Sequence, residues 1–238
     1  MNGGQNMDIS KMKSDFKAII GKGPLYSKGQ HGKALGNSLW SFDREGIFLD
    51  SVEEGYLDLS RTCTGIEKAF AESNITGMTF GQAKDAVFHA LADEIKEVFD
   101  KSCESDFDKQ HAELCDSFVT NMKDIVHYHV TFGHAQKIVN MAFKYLSCCD
   151  GAEKYEKAVF SNCHMPLDSY TIAQYKKEIS KKRTIPGWSK FDGDADIELY
   201  KAIQKDVREY SAKLGRSALD TEFIWWYETA IENTAKNK

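Results

Sequence analysis

Two segments carry the residue types that could do chemistry: one places a lysine amine near a helix start, the other a carboxylate at the start of a further helix. Thr131-Phe132-Gly133-His134-Ala135-Gln136-Lys137-Ile138-Val139-Asn140 supplies the amine. A glycine turn between two helices is expected at Gly133, with Lys137 near the start of the second helix. Such a turn leaves backbone N–H groups facing outward at a helix N-terminus, which suits a phosphate. Lys137, Asn140 and Lys144 then fall at i, i+3 and i+7, whereas Ile138, Val139, Ala142, Phe143 and Leu146 form the apolar side. Lys137 is thus expected on a polar face anchored by a core face. The acid comes from Cys163-His164-Met165-Pro166-Leu167-Asp168-Ser169-Tyr170-Thr171-Ile172. Pro166 halts one element, and Asp168 stands as the N-cap of the next, where the helix dipole keeps it ionised. Each residue also has a plainer reading: a polar-face lysine is usually solvated, and an aspartate at a helix start is usually only a cap.

The elements that must position them are helices. With 238 residues, 42% hydrophobic and 12% aromatic, the chain can bury a large core. Its three prolines, Pro24, Pro166 and Pro186, leave long uninterrupted stretches. After Thr79 as N-cap, Phe80, Ala83, Val87, Leu91, Ile95 and Val98 draw one apolar stripe. Phe107, Leu114, Phe118, Met122, Ile125 and His129 predict a helix ending before Gly133, and Ala135, Ile138, Val139, Ala142, Phe143 and Leu146 predict the next. Further helices are expected at 8–20, 62–73, 152–160, 169–181, 195–213 and 218–234. Residues 38–60 do not hold a helical period and read as a loop or short hairpin. Without an internal repeat or long linker, the expectation is a flexible 1–7 followed by a single, mainly α domain at 8–238, two-lobed and multi-helical.

Several function classes are disfavoured. No run approaches the roughly 18 apolar residues of a membrane span, and Met1 to Gln5 lacks the apolar stretch of a signal peptide, so no membrane partner and a cytoplasmic location are expected. Cys63, Cys103, Cys115, Cys148, Cys149 and Cys163 lack paired zinc spacing and read as free thiols, leaving no metal and no cofactor expected. Gly21-Lys22-Gly23-Pro24 lacks the spacing of a phosphate loop. Asp192, Asp194 and Asp196 alternate like a calcium loop, but Ile203 stands where the bidentate acid belongs, so they read as first-turn acids of a helix. A net charge of −5 opposes wholesale coating of nucleic acid, although Lys176, Lys177, Lys181, Lys182 and Arg183 form one local basic run before Trp188.

Taken together, Gly133, Ala135 and Lys137 with Leu167-Asp168-Ser169 resemble the helix-hairpin-helix DNA glycosylase superfamily. Ala135-Gln136-Lys137-Ile138-Val139, then Ala142 and Lys144-Tyr145, look most like its archaeal 8-oxoguanine glycosylase branch, which also has a long spacer between lysine and aspartate. The likeness covers the segment from Thr131 to Tyr175. The chain departs from the pattern at Thr131-Phe132 before the glycine, at Ala135 in place of a second glycine, and after Asp168, where no histidine follows. What the resemblance implies is a base-excision glycosylase and abasic-site lyase acting on damaged DNA. The damaged nucleotide would be flipped out of the duplex. Lys137, its pKa lowered by burial, would form a Schiff base with the sugar, and Asp168 would support its deprotonation. Gly133, His134, Ala135 and Gln136 would hold a DNA phosphate, with Asn140 and Lys144 on the same DNA-binding side. Trp188, Trp225 or Trp226 would stack on the extruded base, although the cluster Phe223 to Tyr227 reads more simply as core. The alternative from the residues alone is a noncatalytic helical binding protein using a cleft beside Lys137.

Overall fold

Helical periodicity is realised along most of the described residues. The structure, a computed structural model, describes residues 8–21, 40–60, 62–101 and 106–236, with side chains as far as 229 apart from that of 21. The expected flexible 1–7, most of the Gly21–Pro24 turn and Cys103 lie outside the described residues. Nine α-helices are described: α1 Ile9–Gly21, α2 Ile47–Leu59, α3 Ile66–Glu72, α4 Phe80–Asp100, α5 Phe107–Ile125, α6 Phe132–Ser147, α7 Ser169–Glu178, α8 Asp194–Lys213 and α9 Ala218–Lys236. Among the described residues the one extended pairing is an isolated parallel bridge between Ser41 and Asp150. No described helix is long and apolar enough to cross a membrane.

Caps set the helix starts. Thr79 closes a reciprocal box with Gln82 at the head of α4, its N–H donating to Gln82 Oε1 at 2.9 Å. Asp106 accepts from the Asp108 N–H at the head of α5. Of the three alternating acids read as helix-start residues, Asp194 and Asp196 lie in the first turn of α8, while Asp192 precedes its N-cap Gly193.

The core is built around α6, which packs against α2 and α5, while α4 lies against α2 and α5, and α9 against α1, α7 and α8. The loop or hairpin expected at 38–60 is instead largely α2. Ile47, Ser51, Val52, Gly55 and Leu59 are buried between α4 and α6, with Phe48, Leu49 and Tyr56 also packed on the core. Buried positions recur every four residues at 47, 51, 55 and 59, but Ser51, Glu54 and Gly55 fill part of the buried side, so the stripe is not written in apolar residues. Gly55 is what allows the approach: a Cβ there would sit 2.9 Å from the Ile138 carbonyl oxygen of α6.

Two other expectations are corrected. The helix at 152–160 is a pair of 3-10 turns, Ala152–Tyr155 and Phe160–Asn162. Chain reversal before α6 occurs over 126–131, with His127 at φ 53°, so Gly133 is a first-turn helical residue and no turn. The reason is local: Thr131 caps α6 through its contact with the His134 N–H, while the Thr131 N–H donates to His134 Nδ1 at 3.2 Å. That reciprocal box starts the helix ahead of the glycine.

Candidate active site

All sixteen residues of α6 are buried, including Gln136, Lys137, Asn140 and Lys144. The face expected to be solvated is therefore internal, because α7, α8, α9 and the segment before α8 supply polar partners to it. Buried polar groups must be paired, and here the pairings of Gln136, Lys137, Asn140 and Lys144 with residues outside the helix each fix another element. Gln136 Nε2 donates to the Leu167 carbonyl at 2.9 Å, and Gln136 Oε1 accepts from the Leu167 N–H at 3.1 Å. This clasp holds the residue preceding Asp168 directly against α6.

Asp168 is the N-cap of α7, as read from the sequence. Its Oδ1 accepts from the N–H groups of Tyr170 and Thr171, both at 2.9 Å, and its own N–H donates to Thr171 Oγ1 at 2.8 Å. The other carboxylate oxygen, Oδ2, faces Lys137 Nζ at 2.9 Å. One oxygen thus anchors the helix while the other remains for the lysine. The two side chains are only 9% and 20% exposed, and the Trp188 ring lies over the amine at 5.2 Å from its centroid.

Electrostatics revise the expected lysine chemistry. Burial is the largest influence and pulls the Lys137 pKa down, but Asp168, Asp58 and Glu222 together outweigh it and hold the amine above the usual lysine value. For Asp168, burial pushes upward, while Lys137, the Thr171 N–H and Lys144 outweigh it and hold the acid below the usual carboxylate value. At neutral pH the pair is an ammonium beside a carboxylate. The expectation that burial alone would free a neutral amine is not met.

Compared with known protein families, characterised proteins and solved structures, the chain matches none.

The remaining expected DNA-binding residues come together on α6, all inside. The Gly133 N–H donates to the Phe191 carbonyl at 2.9 Å, and a Cβ at this glycine would fall 1.9 Å from the Trp188 carbonyl oxygen. Ala135 is sealed in the core, and His134 is 8% exposed with its ring against Trp188. Burial, foremost, keeps the His134 imidazole below its usual pKa. Asn140 donates to Tyr200 Oη at 2.9 Å and accepts from His111 Nε2 at 3.0 Å. Lys144 meets Glu222 at 2.7 Å inside a box formed by Phe16, Phe223 and Trp226.

A second polar network was not anticipated from the sequence. Tyr200 Oη donates to His164 Nδ1 at 2.9 Å, His164 Nε2 donates to Asp108 Oδ1 at 2.9 Å, and Arg208 grips both Asp108 oxygens. Cavities of about 450 and 370 Å³ flank Asp108 and Arg208, and neither is lined by Lys137 or Asp168. His164 stands four residues before Asp168, but nothing in its neighbours announces a partner on α8. Of the three candidate tryptophans, only Trp188 touches Lys137; Trp225 is core and Trp226 closes the Lys144 box. Among the described residues no group of three His, Cys, Asp or Glu side chains is arranged to hold a metal ion.

Proposed function

We propose that this chain is a DNA glycosylase and abasic-site lyase on a helix-hairpin-helix scaffold, with α5, the 126–131 connector and α6 as that motif. Lys137 is its nucleophile and Asp168 its proton acceptor. One observation carries the reading: residues 31 apart in sequence meet as an Nζ–Oδ2 pair at 2.9 Å, with the acid immobilised by the start of α7. Capping uses Oδ1 alone, so Oδ2 is left to face the lysine amine.

The residues then act as follows. The Lys137 ammonium passes a proton to Asp168 Oδ2, and the freed amine bonds to the sugar anomeric carbon. At a damaged base, the bond from that carbon to the base breaks with its electrons leaving on the base, which takes up the proton. At an abasic site, the amine adds to the aldehyde and water departs, giving the protonated imine. In either case the Asp168 carboxylate faces the positive charge that develops.

Incubation with DNA carrying an abasic site or 8-oxoguanine, followed by borohydride, is expected to trap a covalent adduct that is lost in Lys137→Ala. A folded protein that forms no adduct on either substrate removes this reading. The resting ammonium and its cover favour a second reading, a noncatalytic helical binding protein in which the Lys137–Asp168 pair only joins α6 to α7. That reading requires nucleic-acid or partner affinity without any trapped adduct.

A further inference from the structure

We propose that residues 185–191 form a gate over Lys137, latched by the Trp188 ring, which must lift before an electrophilic carbon can reach the amine. This rests on the reading of Lys137 as a nucleophile. An attacking amine needs an open approach to its lone pair at roughly 3–3.5 Å from the target carbon. Here the approach is filled, since Asp168 takes one side of Nζ and the indole lies over it.

The segment has the construction of a movable cover. Its two ends are pinned by buried Ile185 and Phe191, whereas Gly187 and Lys190 between them are exposed. Its hold on α6 is short: Gly133 N–H to the Phe191 carbonyl, Thr131 Oγ1 to the Ser189 carbonyl at 2.9 Å, and the indole on the lysine and the His134 ring. These contacts are few beside the packing that holds α6 itself, so the segment can open without the helix unfolding. Gly133 supplies the seat, because any side chain there would collide with the Trp188 carbonyl.

The test uses propionaldehyde with cyanoborohydride, which converts accessible amines through an imine to a secondary amine, and reads each lysine by peptide mass spectrometry. In the wild-type chain Lys137 is expected to react far more slowly than exposed Lys181. Trp188→Ala is expected to raise the Lys137 rate on the order of tenfold, as a desolvated cation–π contact and its cover are removed, and Trp188→Phe to stay close to wild type. Lys144, sealed elsewhere in α6, must remain unreactive in every variant. An unchanged Lys137 rate in Trp188→Ala overturns the gate. So does a parallel rise at Lys137 and Lys144, which would make Trp188 a core support.

Failure of the two readings is distinguishable. Gated alkylation of Lys137 without any abasic-DNA adduct removes the lyase and leaves the gate. Equal adduct rates on abasic DNA in wild type and Trp188→Ala remove the gate and leave the lyase.

Discussion

Asp168→Asn separates the two jobs done by one carboxylate. Asparagine is as good an N-cap as aspartate, so the bonds from the Tyr170 and Thr171 N–H groups should survive. What disappears is the negative charge facing Lys137 at 2.9 Å. Removing one partner of a buried ion pair costs about 3–5 kcal/mol, and because Asp168 retains some exposure the lower end, about 3 kcal/mol, is appropriate. At roughly 2–4 °C per kcal/mol for a chain of this size, Tm should fall by roughly 6–12 °C. Asp168→Ala should lose about 1 kcal/mol more through the cap. Lys137→Met combined with Asp168→Asn should recover much of the loss, because no lone charge is then left inside. Urea melts at neutral pH with a constant slope provide the readout. A loss below about 1 kcal/mol for Asp168→Asn would match an exposed ion pair and refute the reasoning. The same variant should shift the pH profile of Lys137 alkylation downward, since burial then acts on the amine without its main opponent.

Three further outcomes follow from neighbouring features. His111 and His164 are both held below the usual imidazole range, chiefly by burial. The unfolded chain takes up protons as pH falls through about 6.5 while the folded imidazoles stay neutral, so stability should decline from about pH 6.5 downward; equal urea midpoints at pH 7.5 and 5.5 would contradict this. Gly133→Ala should cost about 1–3 kcal/mol by overpacking against the Trp188 carbonyl, and it should speed Lys137 alkylation by unseating the gate; thermal melts and peptide mapping check both. Replacing Lys144 and Glu222 together by methionine should be close to neutral in a thermal melt, whereas Lys144→Met alone should lower stability by about 3–5 kcal/mol by stranding Glu222.

The sequence revealed what is local. The stripe of α4, its Thr79 cap and the Asp168 cap all depend on residues within one or two turns of each other, and all appear where their spacing put them. It also brought Lys137 and Asp168 into one proposal, although they are far apart in the chain. What it hid depends on partners elsewhere. The period of α2 was masked because Ser51, Glu54 and Gly55 occupy buried positions, and the polar side of α6 resembled a solvated face because Leu167, Tyr200 and Glu222 lie outside its own segment. Gly133 suggested a turn, yet its lack of a side chain is needed for the close passage of Trp188. Trp188 could not be chosen over Trp225 and Trp226 because the choice depends on which loop crosses the end of α6.

The complete burial of α6 has a consequence for how this protein can vary. A surface helix has alternate positions where substitution is nearly free, and its tolerance rises and falls once per turn. From Phe132 to Ser147 no position has that freedom, since apolar residues are packed and Gln136, Lys137, Asn140, Lys144 and Tyr145 are each claimed by a partner outside the helix. A saturation scan should therefore read α6 as one unbroken intolerant block. Changes that persist there would have to arrive in pairs, with a second substitution on α2, α8, α9 or the 163–168 segment.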